Sequence, residues 1–162
     1  MDGELRVGGV FVRCFNIKPN SALPDREAFL EALMSSIAED AGRATPTAAG
    51  NRLGHSREAA HRTAAMLEAV TNLLESHPML GASKALLAPE RLRLLALALH
   101  PGNPRSVVAA TVPVLHALAG NDDPVVADAL AGAAGALVPR LLMCFEVLHE
   151  GGAGGAGGAG GA

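Results

Sequence analysis

An all-α fold is expected from this sequence: a helical hairpin, then an armadillo/HEAT-like α-solenoid of about two repeats. Three observations carry that expectation. Apolar residues make up 49% of the 162 positions, yet there are only four Phe and no Trp or Tyr. A core of Leu, Ala and Val suits closely spaced helices better than a sheet, whose faces favour β-branched and aromatic side chains. Apolar positions recur at helical spacing through most of the chain. Finally, the breaks at Pro78 and Pro124 stand 46 residues apart, inside the armadillo/HEAT range, and each precedes a short helix and then a longer one.

Taken in order, residues 5–16 place Val7, Val10, Phe11, Cys14 and Phe15 on one helical stripe, and a first helix is expected there. A second is expected from about Pro24 to Glu39, with Pro24 in its first turn, Asp25 and Glu27 facing the positive end of the dipole, and Phe29, Leu30, Leu33, Met34 and Ile37 buried. The two would form a hairpin over residues 1–39. Residues 40–55 hold three Gly, one Pro and no apolar period, so they read as a loop. Ser56 is the expected N-cap of a helix reaching Ser76, with Ala60, Ala64, Leu67, Val70 and Leu74 inward.

A short helix Met79–Leu87 and a longer one Pro89–His100 should follow. Asn103 would cap the next helix, with Pro104 at its first position, and that helix carries Val107, Val108, Val112, Leu115 and Leu118. Pro113 should kink or split that helix. Asp123-Pro124 starts a short helix, Ala131–Gly135 reads as a Gly-rich corner, and a last helix spans Ala136–His149. Armadillo-like repeats are thus expected over 56–150, with a flexible Gly/Ala tail over 151–162. The chain ends there without a capping helix, which reads as a fragment. Ala-rich helices bury little area each, so a marginally stable or self-associating chain is expected; a sharp two-state melt of a clean monomer would contradict this.

Composition excludes several classes. A net charge of −3 and pI near 6, with no basic patch and no aromatic stacking platform, argue against nucleic-acid binding. Cys14 and Cys144 each sit alone in apolar patterns and read as buried, reduced thiols of a cytoplasmic protein. Asp2 and Glu4 stand where a signal peptide would be basic. The longest largely uncharged run, Ser106–Ala119, is too short to span a bilayer, so no transmembrane segment is expected.

Chemistry-bearing patterns are equally sparse, and no catalytic, cofactor-binding or metal-binding residue is assigned. Gly8-Gly9 lacks the spacing of a phosphate loop. The six His, at 55, 61, 77, 100, 116 and 149, show no zinc-site spacing. Asp122-Asp123 lacks the calcium-loop pattern, and Asp123 reads as a helix cap. Ser35-Ser36 has neither a nucleophile elbow nor a partner base. Arg91, Arg93 and Arg105 read as solvated helix faces, with a contact to a partner or a lipid headgroup as the sharper alternative.

One stretch resembles a known family. Val7-Gly8-Gly9-Val10-Phe11 with Phe15, then Pro19, then Arg26, Phe29, Leu30, Glu31 and Leu33, then Ser35-Ser36-Ile37-Ala38, is similar to a segment of the very large endosomal J-domain proteins. These are DnaJ co-chaperones of the receptor-mediated-endocytosis type, with plant relatives in gravitropism and vacuolar sorting. The likeness covers roughly residues 5–40; residues 66–149 resemble those proteins only in the general armadillo way. The acidic Pro24-Asp25 and the loop at 40–55 depart from the family. His77-Pro78 and His100-Pro101 continue into Met79 and Gly102, never into the Asp of the His-Pro-Asp signature, so any Hsp70 partnership would belong to a J domain outside this chain. The resemblance implies a non-enzymatic scaffold in endosomal trafficking, located in the cytoplasm or peripherally on the early endosome membrane. A generic armadillo adaptor is the alternative, and a helical enzyme subunit a third, requiring a convergent polar pocket.

Overall fold

The computed structural model describes residues 4–7, 10–13, 25–43 and 57–150. The packed body is helical, as expected, with six α-helices among the described residues. The first expected helix is a correction. Glu4–Val7 (β1) and Val10–Arg13 (β2) form a two-stranded antiparallel ribbon, with Leu5 paired to Val12 and Val7 to Val10. Two Gly would cost a helix about 1 kcal/mol each relative to Ala, and Val-Phe-Val favours extended backbone. Two short runs either side of Gly8-Gly9 are the hairpin signal in the sequence. β1 lies against α1 (Arg26–Arg43). The readings of Cys14, Pro24, Ser56, most of the 40–55 loop and the tail fall outside the described residues.

Helix α1 starts on Asp25, whose Oδ1 accepts the Ala28 N–H at 2.9 Å; this is an N-cap bond. All five residues of its expected stripe are buried. It runs four residues past Glu39, into the expected loop, because Asp40 has a partner there. The Arg62 guanidinium grips the Asp40 carboxylate through Nε and Nη2, both at 2.7 Å. That bond to Asp40 raises the Arg62 pKa. The grip ties α1 to α2 (Arg57–Ser76), whose five predicted inward residues are also buried.

After α2 come a 3-10 helix, Pro78–Ala82, then α3 (Lys84–Leu87), α4 (Pro89–Ala98), α5 (Arg105–Ala119) and α6 (Pro124–Glu150). Helix α1 packs on α2, α2 on α5, and α5 on α6. The α3–α4 pair covers one side, α3 touching α1 and α4 touching α5 and α6. One aliphatic core runs through all of it. Pro113 does not split α5: it withdraws one N–H from the Ala109 carbonyl, but both residues are exposed, so water can serve that carbonyl.

Two further expectations are corrected. Asn103 does not cap α5, whose N-cap is Pro104, without a side-chain bond. It is buried and turned backwards, its Nδ2 donating to the carbonyls of Leu97 and Ala98 at 2.8 and 2.9 Å. The end of α4 leaves carbonyls orphaned, and a primary amide with two donors satisfies both. The Gly-rich corner at 131–135 does not exist either; α6 is continuous through it. Val126, Leu137 and Cys144 are buried, and Leu130, Ala133 and Leu141 half-buried. That stripe keeps helical spacing across Gly132 and Gly135, and its burial on α4 and α5 outweighs the glycine cost.

Polar clamps set how the helices sit. Arg91 on α4 forks onto α1: Nη2 donates to Glu31 Oε1 at 2.6 Å and Ser35 Oγ at 2.9 Å, and Nη1 to the Met34 carbonyl at 3.0 Å. Ser83 caps α3 and donates to Glu27 Oε1 at 2.9 Å. Asn121, after α5, donates to the Pro78 carbonyl at 2.8 Å and lies so close to Gly81 that a Cβ there would sit 2.5 Å from its Nδ2. We expect Arg91→Lys to destabilise nearly as much as Arg91→Ala, by about 1–2 kcal/mol, since one ammonium cannot reproduce a planar fork. Urea unfolding checks this; a lysine variant as stable as the wild type would mean the fork contributes nothing.

Candidate functional site

The largest surface feature among the described hollows lies between α4 and α6. Two confluent depressions of about 560 and 460 Å³ share Arg93, Gly135 and Ala136. Leu92, Ala96 and Leu97 form the α4 wall; Ala129, Gly132, Pro139, Arg140 and Met143 continue the α6 wall. Among the described residues the lining is apolar apart from the two arginines and contains no acid. Neither Arg93 nor Arg140 has an ion-pair partner among the described residues. The other described hollow, about 300 Å³ between α2 and α5, is more polar, with Glu68, Thr71, Asn72 and Ser106; the Thr71 hydroxyl is taken by the Leu67 carbonyl.

The groove exists because α6 is one helix with small residues facing it. Among the described residues, nothing lies within 4 Å of where a Cβ would stand on Gly132 or Gly135. These glycines therefore open space; they do not allow close packing inside the chain. Pro139 has no N–H to give the Gly135 carbonyl, so the groove floor also holds a backbone acceptor lacking its usual helical donor. Beyond the groove, α6 carries an outer face with Val125, Val138, Leu142 and Phe145 exposed, Phe145 at 70%. Pro124–Phe145 is long and apolar enough to cross a membrane by length and composition, with mean hydropathy 1.6. The sequence expectation of no such segment rested on the shorter run Ser106–Ala119, because Asp128 and Arg140 interrupt this one. A narrow stripe of α6 packs on α4 and α5, and most of the helix surface is left uncovered among the described residues.

The residues singled out in the sequence separate. Of the three arginines, Arg91 is spent on α1, Arg93 faces the groove, and Arg105 is exposed at the start of α5. Ser35 is held between Arg91 and Glu31, to whose Oε1 it donates at 3.1 Å, which gives it a structural role. Asp123 caps α6 through the Val125 N–H at 2.9 Å. His61 and His116 are exposed on different helices, and the His100 ring accepts the Gly102 N–H. Among the described residues no group of three His, Cys, Asp or Glu could hold a metal. Cys144 is buried as expected. Its thiol donates to the Leu99 carbonyl at 3.1 Å, and burial pushes its pKa up against the opposing charge of Arg140. Arg140 was not among the residues the sequence brought forward; only the continuity of α6 puts it beside Arg93.

Because Gly132 and Gly135 face open space, replacing each with Ala should stabilise the fold by about 1 kcal/mol through helix propensity alone. Chemical denaturation measures this, and a loss of stability would mean the glycines are needed for packing. No family model, no curated protein and no solved structure matches this chain.

Proposed function

We propose that this chain is a non-enzymatic scaffold that docks a protein partner in the α4–α6 groove, as a helical-repeat piece of a DnaJ-type endosomal trafficking protein. The groove itself carries the docking part: an open, mostly apolar channel whose own chain leaves its glycines uncovered. Clefts of this kind bind by shape and a few anchors. An acyl- or phosphoryl-transfer site would need a nucleophile with a base, and the groove lining offers two arginines and apolar groups instead.

The armadillo/HEAT-like arrangement belongs to the same proposal. It is supported by the pairing of equivalent helices: α2 stacks on α5, and after the turns at Pro78 and Pro124, α4 stacks on α6. First helix on first helix and second on second is how such repeats bury their faces. The second unit departs from the pattern in having a single α6 where the first has α3 and α4.

The endosomal part rests on the likeness over residues 5–40. Much of that motif also has a packing explanation: Phe29, Leu30, Leu33 and Ile37 are core, and Glu31 and Ser35 hold Arg91. A generic adaptor remains the second reading for that reason. Quantitative capture from cell extract on the immobilised full chain, compared with its Gly135→Leu variant, separates the two. Endosomal sorting proteins captured by the wild type and lost from the variant are the expected result. A groove-dependent set without them would favour the generic adaptor. Chaperones alone, equal on both, would overturn the scaffold by marking the chain as an unfolded client.

A further inference from the structure

We infer that the occupant of the α4–α6 groove is an amphipathic helix of a partner protein that sets a carboxylate against Arg93 and Arg140. The inference rests on the docking role proposed above and adds the chemistry of the partner. The groove runs along α6 from Ala129 to Met143, about 20 Å at helical rise, or roughly four turns of a bound helix. Its two walls are helices, and ridges of a third helix fit between such walls, most closely where the wall residues are small. Gly132, Gly135 and Ala136 supply that smallness on one side.

Charge selects the partner. The chain as a whole carries −3, yet this lining holds two cations, no anion, and no internal partner for either cation among the described residues. Arg93 is exposed and Arg140 half-buried, so a carboxylate arriving with an apolar helix would be partly desolvated between them and could accept from both forks. The same arginines, with Asp128 on α6, weigh against burial of this groove in the hydrocarbon core of a bilayer, which cannot solvate them.

The test uses the full chain and two fluorescein-labelled 18-residue helical peptides, with Leu at i, i+3, i+4 and i+7. One bears Glu along a flank and its twin bears Gln at the same positions. By anisotropy at low salt, the Glu peptide should bind at least tenfold more tightly than the twin. The double variant Arg93→Gln/Arg140→Gln should remove that difference, and Gly135→Leu should weaken both peptides at least tenfold with an unchanged circular dichroism spectrum. Equal affinities for the two peptides, both lost in Gly135→Leu, would overturn the acidic preference and leave the groove standing. Affinities unmoved by Gly135→Leu would overturn the groove as well. Should Gly135→Leu fail to fold, Arg93→Glu at its exposed position serves instead, and must shift preference from the Glu peptide to a Lys twin. A dimer in sedimentation that Gly135→Leu abolishes would make a second copy the occupant. Flotation with phosphatidylcholine/phosphatidylserine vesicles would make it a membrane. Either result overturns the proposal.

Discussion

The stacking of α2 on α5 is the constraint on which the rest of this fold depends. Both helices bury aliphatic stripes, Leu67, Val70 and Leu74 on one and Val107, Val114 and Leu118 on the other, within one continuous core. With no Trp or Tyr in the sequence, Phe29 is the one aromatic side chain in the core among the described residues, and the rest of the interior is aliphatic. Stability has to come from many methylene contacts between closely approaching helices. Helices that cannot make such contacts alone must stack, and α1 and α6 take up the two free sides of the central pair.

Aliphatic stripes are forgiving about register, so polar groups fix it. The Arg91 fork sets α4 against α1, Arg62 and Asp40 set α1 against α2, Asn103 closes the end of α4, and Asn121 pins the α5–α6 turn to the 3-10 helix. Each makes bonds that only one arrangement satisfies, and an unmade bond at a buried group costs more than a made one returns. The buried hydroxyls of Thr71 and Thr111 bond back to the carbonyls of Leu67 and Val107, whereas the Thr63 hydroxyl and the Asn103 Oδ1 are buried without a partner among the described residues. The groove is a product of this register. With α4 held by Arg91 and by Asn103, α6 can reach it only along its inner stripe, and the small residues beside that stripe are left facing a channel.

Glycine in α6 thus has a cost and a use. Two glycines in a helix interior lower propensity, and no close approach among the described residues compensates for them. What they provide is room beside Arg93 and Arg140, in a protein whose remaining described arginines include two committed to carboxylates, Arg62 and Arg91. Stability given up locally for an open surface is a common arrangement at binding sites.

The sequence by itself determined the helical class and the inward faces of α1 and α2, because helical spacing of apolar residues survives whatever the neighbours do. It also marked Asp123 as a cap, a local bond needing no tertiary partner. Where local signals competed, it misled. Val-Phe-Val beside Gly8-Gly9 fits a stripe and a ribbon alike, and Ala-Gly-Ala-Ala-Gly reads as a corner until burial on α4 and α5 holds it helical. Asn103 and Asp40 have partners that local sequence does not point to: the end of the preceding helix and a guanidinium on the next. The presence of Arg93 and Arg140 in one groove was decided only by tertiary structure, since it brings residues far apart in the chain to one lining and depends on α6 staying unbroken. A periodic pattern states which face of a helix is buried, but only packing decides what stands opposite the faces that are not.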